Sequence, residues 1–419
     1  MKPLIIFILL GSTFFPAPAQ EINYYKNIQP LIQTHCLPCH HQNNVGAMPL
    51  ENYKQVSAYG RMIAYTTENK LMPPWKADAG YSHLKDYNSL TKEEIELIKA
   101  WVNAGVEEGK DIPGINKTAI VKEKLFPTPD MVIAMKESYV LADDYTETAQ
   151  VFVIPSNLQE EKYIDAIEFV PGNKKIVKSC TVSIDTGNTG ALYDSYDLNY
   201  GYLSLNGLAF IPYEYNWYQW TADEGASFYT LPYAKKIPAG SNLLLHISYA
   251  ASTTIQKDSS FLKLHFATNT DSLKTISSQI LFDTTNLTNG SFVINVGDKR
   301  KFFAEHTIDK PVEIYSVMPM GQHACSSWEI YAIDRATGQR INILKIPHWD
   351  AHWKKKYYPD APIRLSAGST IFGIAYYNNG DDNTDLIILP PKKIKNGEGQ
   401  RDELFVVGYD VVELKSVTE

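Results

Sequence analysis

Cysteine is scarce in this sequence: four in 419 residues, at positions 36, 39, 180 and 325. Cys180 and Cys325 stand far apart and alone, so no second pair completes a zinc half-site begun at Cys36 and Cys39. No βαβ pattern surrounds the close pair, which sets aside a thioredoxin-like disulfide. Charge is not concentrated either: 39 basic against 47 acidic residues leave −8, without the basic cluster that nucleic acid requires. Beyond the first residues no apolar run reaches the roughly 20 needed to cross a bilayer, so no membrane span is expected. Short-period internal repeats are missing too. What is present is 44% apolar residues and 12% aromatics, 27 of them Tyr, in a chain long enough for two or three globular units. Frequent Gly and Pro beyond the first hundred residues favour β-structure with many turns.

The N-terminus reads as a signal peptide over residues 1–19. Lys2 precedes an apolar run from Leu4 to Leu10, and Ala17-Pro18-Ala19 supplies a small-residue cleavage site before Gln20. An exported, periplasmic or extracellular protein is expected, without lipid anchoring because no Cys follows the cleavage point.

Cys36-Leu37-Pro38-Cys39-His40 is the chain's strongest motif. C-x-x-C-H is the attachment sequence of a c-type haem: each thiol adds across one vinyl group, and the adjacent imidazole reaches the iron. A disulfide would leave His40 without a reason. One covalent haem c per chain follows, with His40 as one axial ligand. Met72, in Leu71-Met72-Pro73-Pro74-Trp75, is the candidate for the other, since a thioether raises the reduction potential and two prolines stiffen the loop. Met48 and His41 follow His40 too closely to reach the opposite face, and Met62 reads as core. Ile28, Leu31 and Ile32 predict a short helix before the motif. Thr91 to Glu94 predicts a capping box opening a second helix, through Ile95, Ile98, Trp101 and Val102 to Gly105. Residues 20–111 resemble the cytochrome c domains placed ahead of other modules in exported bacterial proteins. That resemblance implies a small all-α cytochrome c domain, followed by a linker over 112–129.

Beyond it the apolar period becomes two. Strands are expected at Val151–Pro155, Tyr163–Val170, Ile176–Asp185, Leu243–Ala250, Phe292–Val296, Pro311–Pro319, Trp328–Ile333, Ile341–Ile346 and Thr370–Asn378. They predict two antiparallel β-sandwiches over 130–285 and 286–419. The tyrosine-rich stretch from Tyr193 to Tyr233, with Trp217 and Trp220, is read as packing.

The order of Val170-Pro171-Gly172-Asn173, Ile237 to Ser241 leading to His246, Ser316 to Pro319, His348 to Trp353 and Tyr377-Asn378-Asn379 resembles the copper type II, ascorbate-dependent monooxygenases. The group includes peptidylglycine α-hydroxylating monooxygenase. The resemblance implies paired jelly-roll-like sandwiches with one copper on each, but the ligands do not carry over. Lys178 and Ser179 stand where the family has a His pair, Ser248 follows His246 in place of a second His, and Met320 and Gln322 replace another. No Met follows Met320. Only His246 retains a copper-ligand position, and copper is not expected there. Met318, Met320, His323 and Cys325 form one candidate soft-metal cluster; His348 and His352 read as surface or satisfied histidines. The expected function is an electron carrier with a redox partner protein in the cell envelope. No catalytic residue is assigned. A haem-linked copper-dependent monooxygenase and a non-redox haem-anchored binding protein stand as the other readings.

Overall fold

The computed structural model describes residues 22–42, 44, 46, 48–85, 88–110, 112, 114, 125–205, 207–386, 390–395 and 403–415. The segment expected to be a signal peptide (1–19) and most of the expected linker (112–129) lie outside the described residues.

The N-terminal part begins with a π-helical turn, Tyr24–Ile28, capped by the Asn23 side chain. It continues into α1 (Gln29–His35), where Pro30 takes a first-turn position that needs no N–H. Then come α2 (Tyr53–Ala58), α3 (Gly60–Glu68) and α4 (Lys92–Asn103). α4 has the reciprocal cap its sequence predicts: Glu94 N donates to Thr91 Oγ1 at 3.2 Å, and Thr91 N donates to Glu94 Oε2 at 2.8 Å. Its last turn closes at Ala104 before Gly105, whose φ of 95° suits glycine. Ile98 and Trp101 meet Tyr24, Ile28, Ile32, Val56 and Ile63 in a buried cluster. Replacing Thr91 by Ala should lower the unfolding free energy by about 1 kcal/mol in urea titrations, the usual cost of losing such a cap.

These helices do not make the small all-α domain that the sequence predicts. The chain is mostly β, with only short helices. α1, α2 and α3 have 7, 6 and 9 residues, below the length at which a helix persists alone. The segment between α3 and α4 instead joins the β-structure. Trp75, Ala77 and Leu84 share one buried cluster with Phe282, Trp328 and Tyr357. Asp78 N donates to Lys345 O at 2.8 Å and Lys85 N to Tyr358 O at 2.7 Å. The helices are therefore a layer fastened to a β-rich body.

The expected pair of separate antiparallel sandwiches is also corrected. A nine-stranded sheet runs through both halves of the body in the order Met131–Ala134, Phe261–Phe266, Lys162–Val170, Tyr233–Ile237, Lys274–Phe282, Val406–Glu413, Val312–Met320 and Ile363–Leu365, with Ser227–Phe228 paired to Lys162–Val170. Tyr233–Ile237 and Lys274–Phe282 pair in parallel. Lys274–Phe282 is the shared strand: Ile276 lies in the first buried core, Leu281 and Phe282 in the second. A five-stranded sheet (Tyr202–Leu203, Thr148–Pro155, Asn242–Tyr249, Val177–Asp185, Glu214–Thr221) closes the first core. A four-stranded sheet (Lys299–Thr307, Thr370–Asn378, Cys325–Ile333, Arg340–Ile346) closes the second.

Thr370–Asn378 shows the two-residue period plainly, burying Ile371, Gly373, Ala375 and Tyr377 in turn. A Cβ on Gly373 would lie 2.7 Å from the Phe282 ring, so glycine lets the two sheets approach. Glu214–Thr221 is buried at all eight positions. Trp217, Tyr218 and Trp220 fill the first core, while Asn216 and Gln219 bond to the other half and Glu214 accepts from Ser278 N of the shared strand. That strand forms the seam between the halves. The Tyr193 region packs as expected in part, with Tyr193 stacked on Phe210 at 5.4 Å, but Tyr196, Leu198 and Ile211 are exposed.

Candidate functional site

The C-x-x-C-H segment is a tight turn continuing α1. Cys36 N donates to Ile32 O at 3.0 Å, and His40 N donates to Cys36 O at 2.9 Å. Both cysteines are free thiols, and burial pushes each up to about 12; for Cys39, Asp223 adds to that rise and Lys355 opposes it. They are therefore neutral thiols at physiological pH, and Cys36 packs on the helical core.

A returning loop closes over the turn. Leu50 N donates to His40 O at 2.7 Å, and Gly46 N donates to Cys39 O at 3.2 Å. A Cβ on Gly46 would sit 2.5 Å from Cys39 O and 2.8 Å from His40 Nδ1, so only glycine fits. His40 Nδ1 lies 3.0 Å from Met48 O. A carbonyl can only accept, so Nδ1 carries the proton and Nε2 keeps its lone pair. Burial lowers the pKa of this imidazole, against the opposing pull of the Met48 bond, and favours the neutral ring. A ring fixed through one nitrogen with a free lone pair on the other is what an axial metal ligand needs. The donor set of two neighbouring thiols and one oriented imidazole fits a covalently bound haem.

Met48 is tied beside His40 by its own carbonyl, and His41 Nδ1 donates to Leu37 O at 3.1 Å. Met62, expected in the core, lies on α3 with 50% of its surface exposed. Met72 follows α3 in a loop whose Leu71 and Met72 N–H groups both donate to Thr66 O. It is 42% exposed and opens into a cleft of about 1410 Å³ between the helical layer and the β-body. Cys36, Cys39 and His40 are not among the residues that line this cleft, so the structure does not bring Met72 and the attachment turn together there.

The far side of the cleft holds His323, Cys325, His348 and His352. The rings of His323 and His352 lie 5.3 Å apart, edge to face. Burial and the neighbouring His352 lower the pKa of His323, whereas the hydrogen bond to Asp350 raises that of His352.

The soft-ligand cluster is divided. Met318 and Met320 pack with Tyr215, where Asn216 Nδ2 reaches their sulfurs at 3.4 and 3.6 Å. Cys325 lies in the second core instead, and Glu403 organises its turn by accepting from Ala324 N and Cys325 N. Among the described residues no group of three or more His, Cys, Asp or Glu is arranged to hold a metal ion. His246 Nε2 donates to Ser204 O at 2.7 Å, and burial drops its pKa to about 4. Lys178 pairs with Glu147 at 2.8 Å, and Ser179 stands opposite Ser248 across the sheet. Cys180 and Cys325 are free thiols in different cores.

Sequence reasoning missed Lys354, Lys355 and Lys356. A run of like charge ordinarily reads as a solvated face, yet Lys355 and Lys356 are buried. Each of the three reaches a different partner: Lys354 Nζ donates to Gln322 Oε1 at 3.0 Å, Lys355 pairs with Asp223 and Glu224, and Lys356 with Asp410. The signal available was their flanking by Trp353 and Tyr357-Tyr358, an aromatic context unusual for a solvated run.

No protein-family model matches the chain, and no curated protein sequence matches it. Among solved structures it is similar to PNGF-II, at 11% identity and a TM-score of 0.27 over 68% of this chain and 65% of that one. The chain thus spans less than two thirds of PNGF-II. It is also similar to PNGase F, a glycosylasparaginase from Flavobacterium meningosepticum, at 11% identity and a TM-score of 0.24 over 68% of this chain and 96% of that one. A third likeness is to the VP2 subviral particle of infectious bursal disease virus, at 10% identity and a TM-score of 0.19 over 70% and 74%. Likenesses at these scores carry no functional reading.

Proposed function

We propose that this chain is an exported c-type cytochrome whose function is electron transfer to or from a partner protein of the cell envelope. The observation that carries the reading is His40: Nδ1 is held by the Met48 carbonyl at 3.0 Å while Nε2 stays free, one residue after the second thiol of the attachment pair. Cys36 and Cys39 would hold the haem by thioethers, and His40 would ligate its iron. Bound in this way, the haem supplies a one-electron Fe(III)/Fe(II) couple. Met72 would be the second axial ligand, and its backbone anchors at Thr66 O hold the thioether-bearing loop at the end of α3. The copper reading has less support, since Lys178 and Ser179 offer no imidazole and Met318 and Met320 lie apart from Cys325.

The test is spectroscopic. The oxidised protein should be low-spin with a methionine-to-iron charge-transfer band. Met72→Ala should abolish the band and lower the midpoint potential, because the soft thioether favours Fe(II). A variant that keeps both would sink the assignment of Met72.

A further inference from the structure

We propose that a second, smaller cavity, on the first half of the β-body, binds an organic cation that carries N–H donors, a guanidinium or a primary ammonium group. This inference is independent of the haem reading.

The cavity, of about 400 Å³, lies between the strands Tyr139–Leu141 and Thr148–Pro155 and the loop that follows the short helix Thr189–Asp194. That volume is within the range of small-ligand sites. Tyr139 and Tyr200 bring two aromatic rings to it, Gln150 and Asn199 two amides, and Glu137 and Asp197 two carboxylates. No Lys, Arg or His lines it.

These groups are set in place before any ligand arrives. Both tyrosine rings rest on the fully buried Phe152, Tyr200 at 5.1 Å and Tyr139 at 5.5 Å between ring centres. Tyr139 is also stacked on Tyr249 at 5.0 Å, and Tyr200 Oη accepts from Lys136 N at 2.7 Å. Gly201 lets the loop lie down on the strand: its φ is 78°, and a Cβ there would sit 2.7 Å from the Phe152 ring. Asp197 Oδ1 accepts from Asn199 N at 3.0 Å and from Asn199 Nδ2 at 3.2 Å. Both bonds fall on one oxygen, so Oδ2 keeps its lone pairs.

Charge selects the class of ligand. Two carboxylates without a basic group beside them make the cavity negative, and neither forms an ion pair among the described residues. Lys136 precedes Glu137 in sequence but is exposed and does not line the cavity. A sugar or another neutral ligand gains nothing from that charge. A cation is drawn both to the carboxylates and to the electron-rich faces of the tyrosines. Carboxylate and amide oxygens accept hydrogen bonds, which a quaternary ammonium cannot give and a guanidinium or primary ammonium can.

The experiment is calorimetric titration of the full-length protein with butylguanidinium, with butylurea as an uncharged ligand of nearly the same shape. Butylguanidinium should bind, and butylurea at least about tenfold more weakly, because the charge-assisted hydrogen bonds are gone. Asp197→Asn keeps an acceptor for Asn199 and removes the charge; this variant and Glu137→Gln should each weaken butylguanidinium about three- to tenfold. Tyr200→Leu should weaken it about threefold, the worth of one exposed ring under a cation. Raising the salt to about 0.5 M should weaken it too, since the cavity is open to solvent. A blocked Gly-Arg-Gly peptide titrated in parallel assigns the source: affinity equal to butylguanidinium points to an arginine of a partner, weaker affinity to a free small cation. Equal binding of butylurea, no binding of butylguanidinium at about 10 mM, or an affinity unchanged in both carboxylate variants overturns the proposal. Should Asp197→Asn fail to fold, Glu137→Gln and the comparison of the two ligands decide.

Discussion

On the proposed haem reading, replacing Cys36 and Cys39 together by Ala should abolish covalent attachment, so that acid-acetone extraction strips any haem left in the protein. In attachment, each S–H adds across a vinyl group, sulfur to one carbon and hydrogen to the other, and nothing else in the described chain offers a second pair of thiols. Cys180 lies fully buried in the first core of the β-body, and Cys325 is buried in the second. Neither can take over the reaction without unfolding that core. Ala is preferred to Ser because a hydroxyl at the half-buried Cys36 would enter the apolar cluster around Ile32. The single variants should each retain one thioether, visible as a shifted α-band in alkaline pyridine. His40→Ala should leave the thioethers intact and lose the low-spin spectrum. Covalent haem surviving in the double variant would remove the assignment of the whole motif.

How far the sequence could be read differs between its parts. Local rules served well where one element carries its own pattern. The cap from Thr91 to Glu94, the helix through Trp101 and the strand Thr370–Asn378 all form where they are expected, because capping and two-residue alternation act within one element. The architecture was not legible in this way. A pattern of strands separated by turns does not say that Lys274–Phe282 will serve two halves at once, or that it will pair in parallel with Tyr233–Ile237. Nor does a short helical segment say whether it stands alone. The docking of Trp75 and Leu84 into the second core depends on groups remote in sequence, such as Phe282 and Tyr357. At the candidate site, the spacing of Cys36, Cys39 and His40 is local and could be read. That Met318 and Met320 pack with Tyr215 while Cys325 packs in the second core was not legible, since strand alternation does not say what each face will meet. The buried Lys355 and Lys356 contradict the ordinary rule for charge, and only partners remote in sequence explain them.

Asp410→Asn should be the most destabilising single change in the β-body, costing about 3–5 kcal/mol of unfolding free energy, as is usual when a buried ion cluster loses one partner. Asp410 is 1% exposed and faces two ammonium groups: Lys235 Nζ at 2.9 Å and Lys356 Nζ at 2.8 Å. Ser316 Oγ donates to it at 2.8 Å, and Ser278 Oγ donates as well. The cluster joins strands of both halves to the loop at Lys356, so its loss acts on the seam. Burial alone would raise the Asp410 pKa, but Lys235 and Lys356 outweigh that and hold it at about 2. This carboxylate is thus lower in the folded than in the unfolded chain. Its stabilisation is complete above about pH 4, the unfolded value, and is lost as pH falls through about 2. Burial lowers the Lys356 pKa to about 8 despite Asp410. Between there and the unfolded value near 10.4 the unfolded chain binds more protons, so stability rises with pH across that interval. Without the carboxylate Lys356 is left beside Lys235 in a buried site with no opposing charge, and is driven further towards the neutral amine. The interval over which alkali stabilises the variant should therefore begin lower. Guanidinium titrations of Asp410→Asn and wild type at pH 6 and pH 9 should show the larger gap at pH 6, narrowing at pH 9. A loss below about 1 kcal/mol, or a gap independent of pH, would mean that the cluster does not hold the seam.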